Sequence, residues 1–311
     1  MQVLNISNVP WAISKGLNSL GVYSRVLDFK SGTGVYKFPF DYSMRLEGQP
    51  LGVQAYRRFK WYAWALKNFD IIHMHSSSML PFYADAPLTK IITADKVKLV
   101  YSHWGADVRS GTVPLLSRLN CAKRFVAPDL YKCVPEGTEI LPVCIDLDYW
   151  KPEKSVSKRH SKKIRILHAP TNREFKGTKH VLSAVEKLEK RGYPIELDLV
   201  ENISLSDLKK RIEQADIVVD QLSGWYATFA CEAMACGKPV MASLRPDVLR
   251  FYQDCPIVDI NKDNLAAKLS ELIEDESLRK RKSAECLKYV RKTHDSLKIA
   301  RRLKSVYEEI L

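Results

Sequence analysis

No apolar run in the 311 residues approaches the roughly 18 that a membrane-spanning helix requires, so no transmembrane segment is expected. The opening MQVLNISNVPW does not join a basic segment to a long apolar one, and no secretion signal is expected either. The seven cysteines, an odd number, contain no Cys-x-x-Cys pair. That pattern fits reduced thiols in a cytoplasmic protein and argues against a disulfide framework or a zinc site. No internal repeat or low-complexity tract interrupts the chain. The 46% apolar content is that of an ordinary globular protein, and the length suits two domains.

Charge is plentiful and uneven. The formal net charge is +13. Residues 1–150 hold 17 Lys/Arg against 12 Asp/Glu, whereas the short segment 151–165 (KPEKSVSKRHSKKIR) holds 7 against 1. This basic stretch has no apolar periodicity and is read as the linker between domains 1–153 and 154–311. A second basic region, Leu51 to Phe69, mixes Tyr56, Phe59, Trp61, Tyr62 and Trp64 with Arg57, Arg58, Lys60 and Lys67. It is expected to be a helix. Tyr56, Phe59 and Ala63 share a face, either packed on a sheet or lying on an anionic membrane.

Short apolar runs alternate with helical patterns along the whole chain, as in doubly wound α/β domains. Strands are expected at Val3–Ile6, Val22–Val26, Asp70–His75 and Lys98–Ser102, and a strand and turn together at Phe125–Leu130. In the second half they are expected at Ile164–Ala169, Pro194–Val200, Ile217–Val219 and Pro239–Ala242. Ser7 to Ser14 reads as a loop, followed by a helix from Lys15. Thr178 is placed as the N-cap of a helix reaching Arg191. A last helix carries Ile299, Leu303, Val306 and Ile310 at 3–4 residue spacing. His73 and His75 alternate on one strand face, but no carboxylate or thiol stands at ligand spacing, so no metal site is expected and they are read as structural or cleft-lining.

The stretch from Ala215 to Ser243, ADIVVDQLSGWYATFACEAMACGKPVMAS, organises the rest. A buried strand ends at Asp220, a loop turns at Ser223-Gly224, a helix runs from Thr228 to Cys236, and Gly237 stops it before the next strand. A helix N-terminus attracts an anion such as a diphosphate. Glu232, about one turn in, has the chemistry to accept hydrogen bonds from two ribose hydroxyls. A structural helix with a capping acid is the alternative.

The run Glu232-Ala233-Met234-Ala235-x-Gly237-x-Pro239-Val240 resembles the donor-site signature of glycosyltransferase family four, the retaining GT-B transferases. The family's earlier glutamate falls at Gly224. The resemblance implies two Rossmann-like, doubly wound domains facing a cleft, with the last helix, about residues 294–311, packing back on the first. It implies retaining transfer of a sugar from a nucleoside diphosphate sugar, a UDP-sugar favoured, to a saccharide or lipid-linked saccharide. Lys176, just before Gly177, and Arg173 are implied to hold the diphosphate. Gly224, Trp225, Tyr226, Thr228 and Phe229 are assigned to the donor loop, with their backbone N–H groups on the donor. His103, Trp104 and Asp107 resemble the family's sugar-facing His-Gly-x-Asp element, and Arg109 and Trp11 are placed with them. No Asp-x-Asp motif is expected, and cations rather than a metal are expected to neutralise the leaving group. No cofactor is expected, and nucleic acid is not an expected partner. Localisation is expected to be cytoplasmic, with an anionic membrane face open as a partner. Two rival readings are a GT-B transferase acting on nucleic acid bases and a non-catalytic GT-B partner subunit.

Overall fold

The computed structural model describes residues 1–29, 38–105, 107–109, 113–153 and 163–311. Most of the basic linker, residues 154–162, lies outside them. The chain divides into two compact units, one formed by Met1–Cys144 with Ser296–Leu311, the other by Ile145–Asp295.

The first unit holds a parallel sheet of β1 (Gln2–Val3), β2 (Val26–Asp28), β3 (Tyr42–Ser43), β4 (Ile71–His75), β5 (Lys98–His103), β6 (Lys123–Val126) and β7 (Glu139–Ile140). Its order is β3-β2-β1-β4-β5-β6-β7. Helices α1 (Val9–Ser19), α2 (Leu51–Asn68) and α3 (Asp85–Thr93) come from the same unit. The sheet is covered on both faces, which is why its strands read as nearly continuous apolar runs. Val3, Leu27, Ile72, Met74, Leu99 and Tyr101 face one layer, and Ile71, Val100 and Phe125 face the other.

The second unit holds β8 (Ile164–His168), β9 (Ile195–Leu199), β10 (Ile217–Val219), β11 (Val240–Ala242) and β12 (Val258–Asp259), in the order β12-β11-β10-β8-β9. Its helices are α4 (Arg173–Lys176), α5 (Thr178–Lys190), α6 (Leu205–Gln214), α7 (Thr228–Ala235), α8 (Pro246–Leu249), α9 (Leu265–Glu274) and α10 (Glu276–Thr293). All its strand pairs are parallel. The chain passes from β8 outward to β9 and then returns to the other side of β8 as β10. The loops after β8 and β10 therefore diverge at the carboxyl edge, where open α/β sheets bind ligands.

The last helix, α11 (Ser296–Ile310), belongs to the first unit. It packs on α1 through Gly16. A Cβ there would stand 2.7 Å from Ala300 Cβ and 2.8 Å from the Ser296 carbonyl oxygen. That close approach needs glycine.

Three local expectations are corrected. Helix α1 begins at Val9, inside the expected Ser7–Ser14 loop, because Pro10 suits a first helical turn. The expected Val22–Val26 strand starts only at Val26. Thr178 does not cap α5. Gly177, at φ 75°, holds the cap position, and the Thr178 hydroxyl bonds His168 instead.

Helix α2 spans the expected range but divides its aromatics. Trp61 and Trp64 pack with Tyr42 and Phe69, Tyr62 is buried against Thr89, and Tyr56 and Phe59 are exposed.

Candidate functional site

Residues expected to hold a diphosphate meet at the β8–β10 edge. Asn172 caps the short helix α4 by accepting from the Phe175 N–H at 2.9 Å, and Gly177 ends it in the left-handed region. This turn leans on the loop after β10. The Leu222 N–H donates to the Lys176 carbonyl at 3.2 Å, and Leu222 Cβ lies 3.0 Å from where a Gly177 Cβ would be. The packing fixes Lys176 beside Asp220, the residue that ends β10.

Lys176 Nζ donates to Asp220 Oδ1 at 2.9 Å, with both side chains buried. The other oxygen, Asp220 Oδ2, accepts the Ala227 N–H at 2.6 Å. Ala227 is the N-cap residue of α7 and offers no capping side chain. Asp220 thus occupies the helix-entry position with one carboxylate, between a cation and a helix-terminal amide. In the sequence Asp220 marks only the end of a strand. Its acidic chemistry at a strand's carboxyl end was the available signal.

Glu232 is buried on α7. Burial, reinforced by the Asp220 carboxylate and opposed by Lys176, raises its carboxyl from 4.5 to about 8. It is therefore mostly protonated at neutral pH. His168 lies under the same edge. Its Nδ1–H donates to the Val219 carbonyl at 2.9 Å, so Nε2 accepts from the Thr178 hydroxyl at 2.9 Å. Burial pushes its pKa down, and the ring is neutral.

Arg173 is exposed and bonds both carboxylate oxygens of Glu201, at 3.0 Å from Nε and 2.5 Å from Nη2. Both expected diphosphate cations therefore carry a carboxylate partner.

Gly224 adopts φ +89°, and a Cβ there would meet Arg245 Cγ at 2.9 Å. Its carbonyl accepts the Arg245 N–H at 2.9 Å. Where family four has a glutamate, this chain has a left-handed glycine beside a cation.

Trp225 and Tyr226, expected on the donor, turn into the unit's interior. They stack on each other at 4.5 Å, Trp225 stacks on Tyr252, and the Tyr226 hydroxyl bonds Tyr289 and His294 at 2.9 and 3.0 Å. Phe229 is buried as well. What this loop offers at the edge is backbone. The N–H groups of Thr228 and Phe229 open α7, where no preceding turn supplies carbonyls. Gln221 donates to the Trp225 carbonyl, and its buried Oε1 has no partner among the described residues.

In the first unit His103 is buried with both nitrogens engaged. Nδ1–H donates to Asp107 Oδ2 at 2.5 Å, so Nε2 accepts from Arg124 at 2.7 Å. Neither His103 nor Asp107 offers the uncommitted group expected of a sugar-facing residue. The Trp104 indole N–H donates to His75 Nδ1 at 3.0 Å, and its ring stacks on His75. Arg109 pairs with Asp129 at 3.4 Å. Trp11 sits apart from this network, on α1, lining a cavity with Ser14, Lys15, Asn18 and Asp41. His73 and His75 are bonded to Tyr307, Ser102 and Gln2, and burial lowers the pKa of both, His75 to about 3.

Among the described residues no group of three or more His, Cys, Asp or Glu is placed to hold a metal ion. The chain does contain one Asp-x-Asp tripeptide, Asp146-Leu147-Asp148, contrary to the expectation of none. Asp146 Oδ1 accepts from the N–H groups of Asp148 and Tyr149 at 3.1 and 3.4 Å, a turn-closing role.

Comparison with solved structures matches the whole chain. The fold is GT-B. Sucrose-phosphate synthase from Thermosynechococcus elongatus aligns at a TM-score of 0.69 and 13% identity, covering 99% of this chain and 98% of that one. Anabaena Alr3699/HepE in complex with UDP-glucose aligns at 0.67 and 14%, covering 99% and 100%. An alpha-glucosyltransferase in complex with UDP and a 13-mer DNA containing a HMU base aligns at 0.63 and 13%, covering 98% of each chain. No family model and no curated protein matches the sequence. The GT-B likeness is thus one of fold, and what the chain does rests on its own residues.

Proposed function

We propose that this chain is a GT-B glycosyltransferase of the family-four kind, moving a sugar with retention from a UDP-sugar to a saccharide or lipid-linked saccharide. The observation that carries this reading is the grouping of Lys176, the α7 N-terminus and Glu232 at the β8–β10 edge. In this assignment Lys176 and the first N–H groups of α7 take the diphosphate, and Arg173 adds an outer cation. Glu232 takes the ribose hydroxyls. Breaking the sugar–phosphate bond places charge on the leaving diphosphate, and these fixed groups stabilise it without reorganisation. The leaving phosphate then helps deprotonate the attacking hydroxyl on the same face.

Structural neighbours carry UDP or UDP-glucose, which favours UDP as the first nucleotide to try. Thermal unfolding with UDP, GDP, dTDP and ADP tests the reading. At 100-fold excess over Kd, UDP should add about 2.7 kcal/mol. Absence of any nucleotide effect sinks the donor assignment.

One neighbour also carries DNA, which removes the ground for leaving nucleic acid out as a partner. A base-modifying transferase is therefore the second reading. Its mark is duplex binding that weakens steeply with salt.

The acceptor side is assigned to an anionic membrane face. Beyond Tyr56 and Phe59 on α2, the first unit exposes Phe82, Ile91 and Leu115 at 89%, 76% and 72%. Helix α3 packs against the turn that carries Leu115, and that turn packs against the one that carries Phe82, so these apolar residues lie on adjoining elements. Lys90, Lys96 and Arg118 are exposed among them. Apolar side chains flanked by cations suit an anionic lipid surface. Arg58, by contrast, donates to the Ser78 and Met79 carbonyls and serves packing. Phosphatidylglycerol vesicles should float with the protein at low salt. The double substitution Phe82→Ser, Ile91→Ser should cut that binding about tenfold, and phosphatidylcholine vesicles should bind little. No flotation with phosphatidylglycerol at low salt refutes the membrane assignment.

A further inference from the structure

The two cations assigned to the donor diphosphate are each held by a carboxylate of the same unit. The outer pair, Arg173 with Glu201, is solvent-exposed, and water and salt screen it. The inner pair differs. The Asp220 side chain has no exposed surface, Lys176 has little, and the same carboxylate also takes the Ala227 N–H. A cation and a helix-entry amide are what an incoming phosphate group would bind. Asp220 therefore stands on both partners that a diphosphate requires. Beside it, Gln221 Oε1 is a buried acceptor without a partner among the described residues, in a turn already assigned to the donor.

We propose that Asp220 is an internal counter-anion that the donor diphosphate replaces on Lys176 and on the α7 N-terminus. This rests on the donor reading given above. In the empty site Asp220 partners Lys176 and keeps it buried and aimed, where a lone ammonium would lack any compensating charge. The arrangement lowers affinity for any anion, because binding must break the Lys176–Asp220 pair. It favours polyanions, because a diphosphate brings more charge and more acceptor oxygens than a single carboxylate.

The groups facing Asp220 are Lys176 on α4, Glu232 on α7, and His168 at the end of β8, with Glu201 further out. Glu232 is held protonated in part by the Asp220 charge, and His168 is neutral. With Lys176 paired to Asp220, the inner site has no net charge. Removing the Asp220 charge leaves it at +1 wherever burial keeps the Glu232 proton in place.

Asp220→Asn keeps the shape and leaves an oxygen to accept the Ala227 N–H while removing the competing charge. Binding of UDP and of inorganic pyrophosphate, measured by calorimetry, should become at least tenfold tighter in this variant. Glu201→Gln, at the screened outer pair, should change either affinity less than threefold. If Asp220 only supports the fold or positions Lys176, Asp220→Asn binds both ligands equally or more weakly, and the proposal is overturned. Should that variant fail to fold, the comparison moves to Lys176→Met against Lys176→Met with Asp220→Asn. The double variant should bind pyrophosphate at least tenfold tighter than the single one, since the single one leaves the carboxylate facing the ligand uncompensated. Equal affinities in that comparison overturn the proposal as well. If UDP binds no form of the protein while pyrophosphate still binds the Asn variant tenfold tighter than the wild type, the donor reading fails and the counter-anion stands. If neither ligand binds any form, both fall.

Discussion

Relative to its Glu232→Gln variant, the ligand-free protein should lose stability as pH rises from about 5 to about 9. The Glu232 carboxyl sits at about 8 instead of its ordinary 4.5, chiefly because burial penalises the charged form. A raised carboxyl means the folded state binds the proton more tightly than the unfolded chain. Below 4.5 both states are protonated and the stability is fully present. Between 4.5 and about 8 only the folded state keeps the proton, and stability falls with each pH step. Above about 8 the folded state carries the buried charge and the loss is complete. At about 1.36 kcal/mol per pH unit, that interval corresponds to a loss on the order of 4–5 kcal/mol. Asp85, buried in the first unit, is also raised and titrates in the same direction, whereas the buried His73, His75, His168 and Met1 ammonium are lowered and titrate in the opposite one, so the difference from the Gln variant isolates the Glu232 share. Chemical denaturation at pH 5, 7 and 9 measures it. A slope unchanged in Glu232→Gln would falsify the assignment.

The same proton governs the donor reading. A carboxylate accepts from two ribose hydroxyls, whereas a protonated acid gives up part of that capacity. If UDP binds only the ionised form, affinity should rise about tenfold from pH 7 to pH 9, with a midpoint near 8. Glu232→Gln should bind UDP with a flat profile over that range.

How far the sequence reached depended on whether a residue's partner is local. The unit β10–α7–β11 was legible because a doubly covered parallel strand reads as Ile217-Val218-Val219, and because Gly237 takes the left-handed φ of +71° after a helix without steric cost. Lys176 was legible from its place before Gly177. Asp220 was not. Its partner lies 44 residues away and is brought beside it only by the return of the chain across β8. The inward turn of the Trp225 and Tyr226 side chains was hidden for the same reason. Their partners Tyr252, Tyr289 and His294 come from later segments, and no local pattern shows that an aromatic pair after a turn will face inward. Thr178 has every local mark of an N-cap, yet the buried His168 ring claims its hydroxyl. Tertiary hydrogen bonds to buried groups outweigh capping preferences.

Lys176→Met should produce the largest combined effect on stability and activity. The substitution leaves Asp220 without its cation at a position with no exposed surface, and among the described residues only the Ala227 N–H still serves the carboxylate. Breaking a buried pair from one side costs about 3–5 kcal/mol, because the remaining charge stays desolvated. Adding Asp220→Asn should recover most of that loss, since the double variant buries no ion, and a double-mutant cycle reads the coupling directly. Transfer should respond differently. Loss of a preorganised charge at the leaving group lowers turnover by roughly 10²–10³. That deficit should persist in the double variant even where stability returns, because the ammonium assigned to the leaving diphosphate is still missing. Stability and activity recovering together would mean that Lys176 acts only through the fold, and the assignment of leaving-group stabilisation to it would fail. Stability returning alone separates the two roles of one ammonium group: holding Asp220 in the empty site and holding the diphosphate in the reaction.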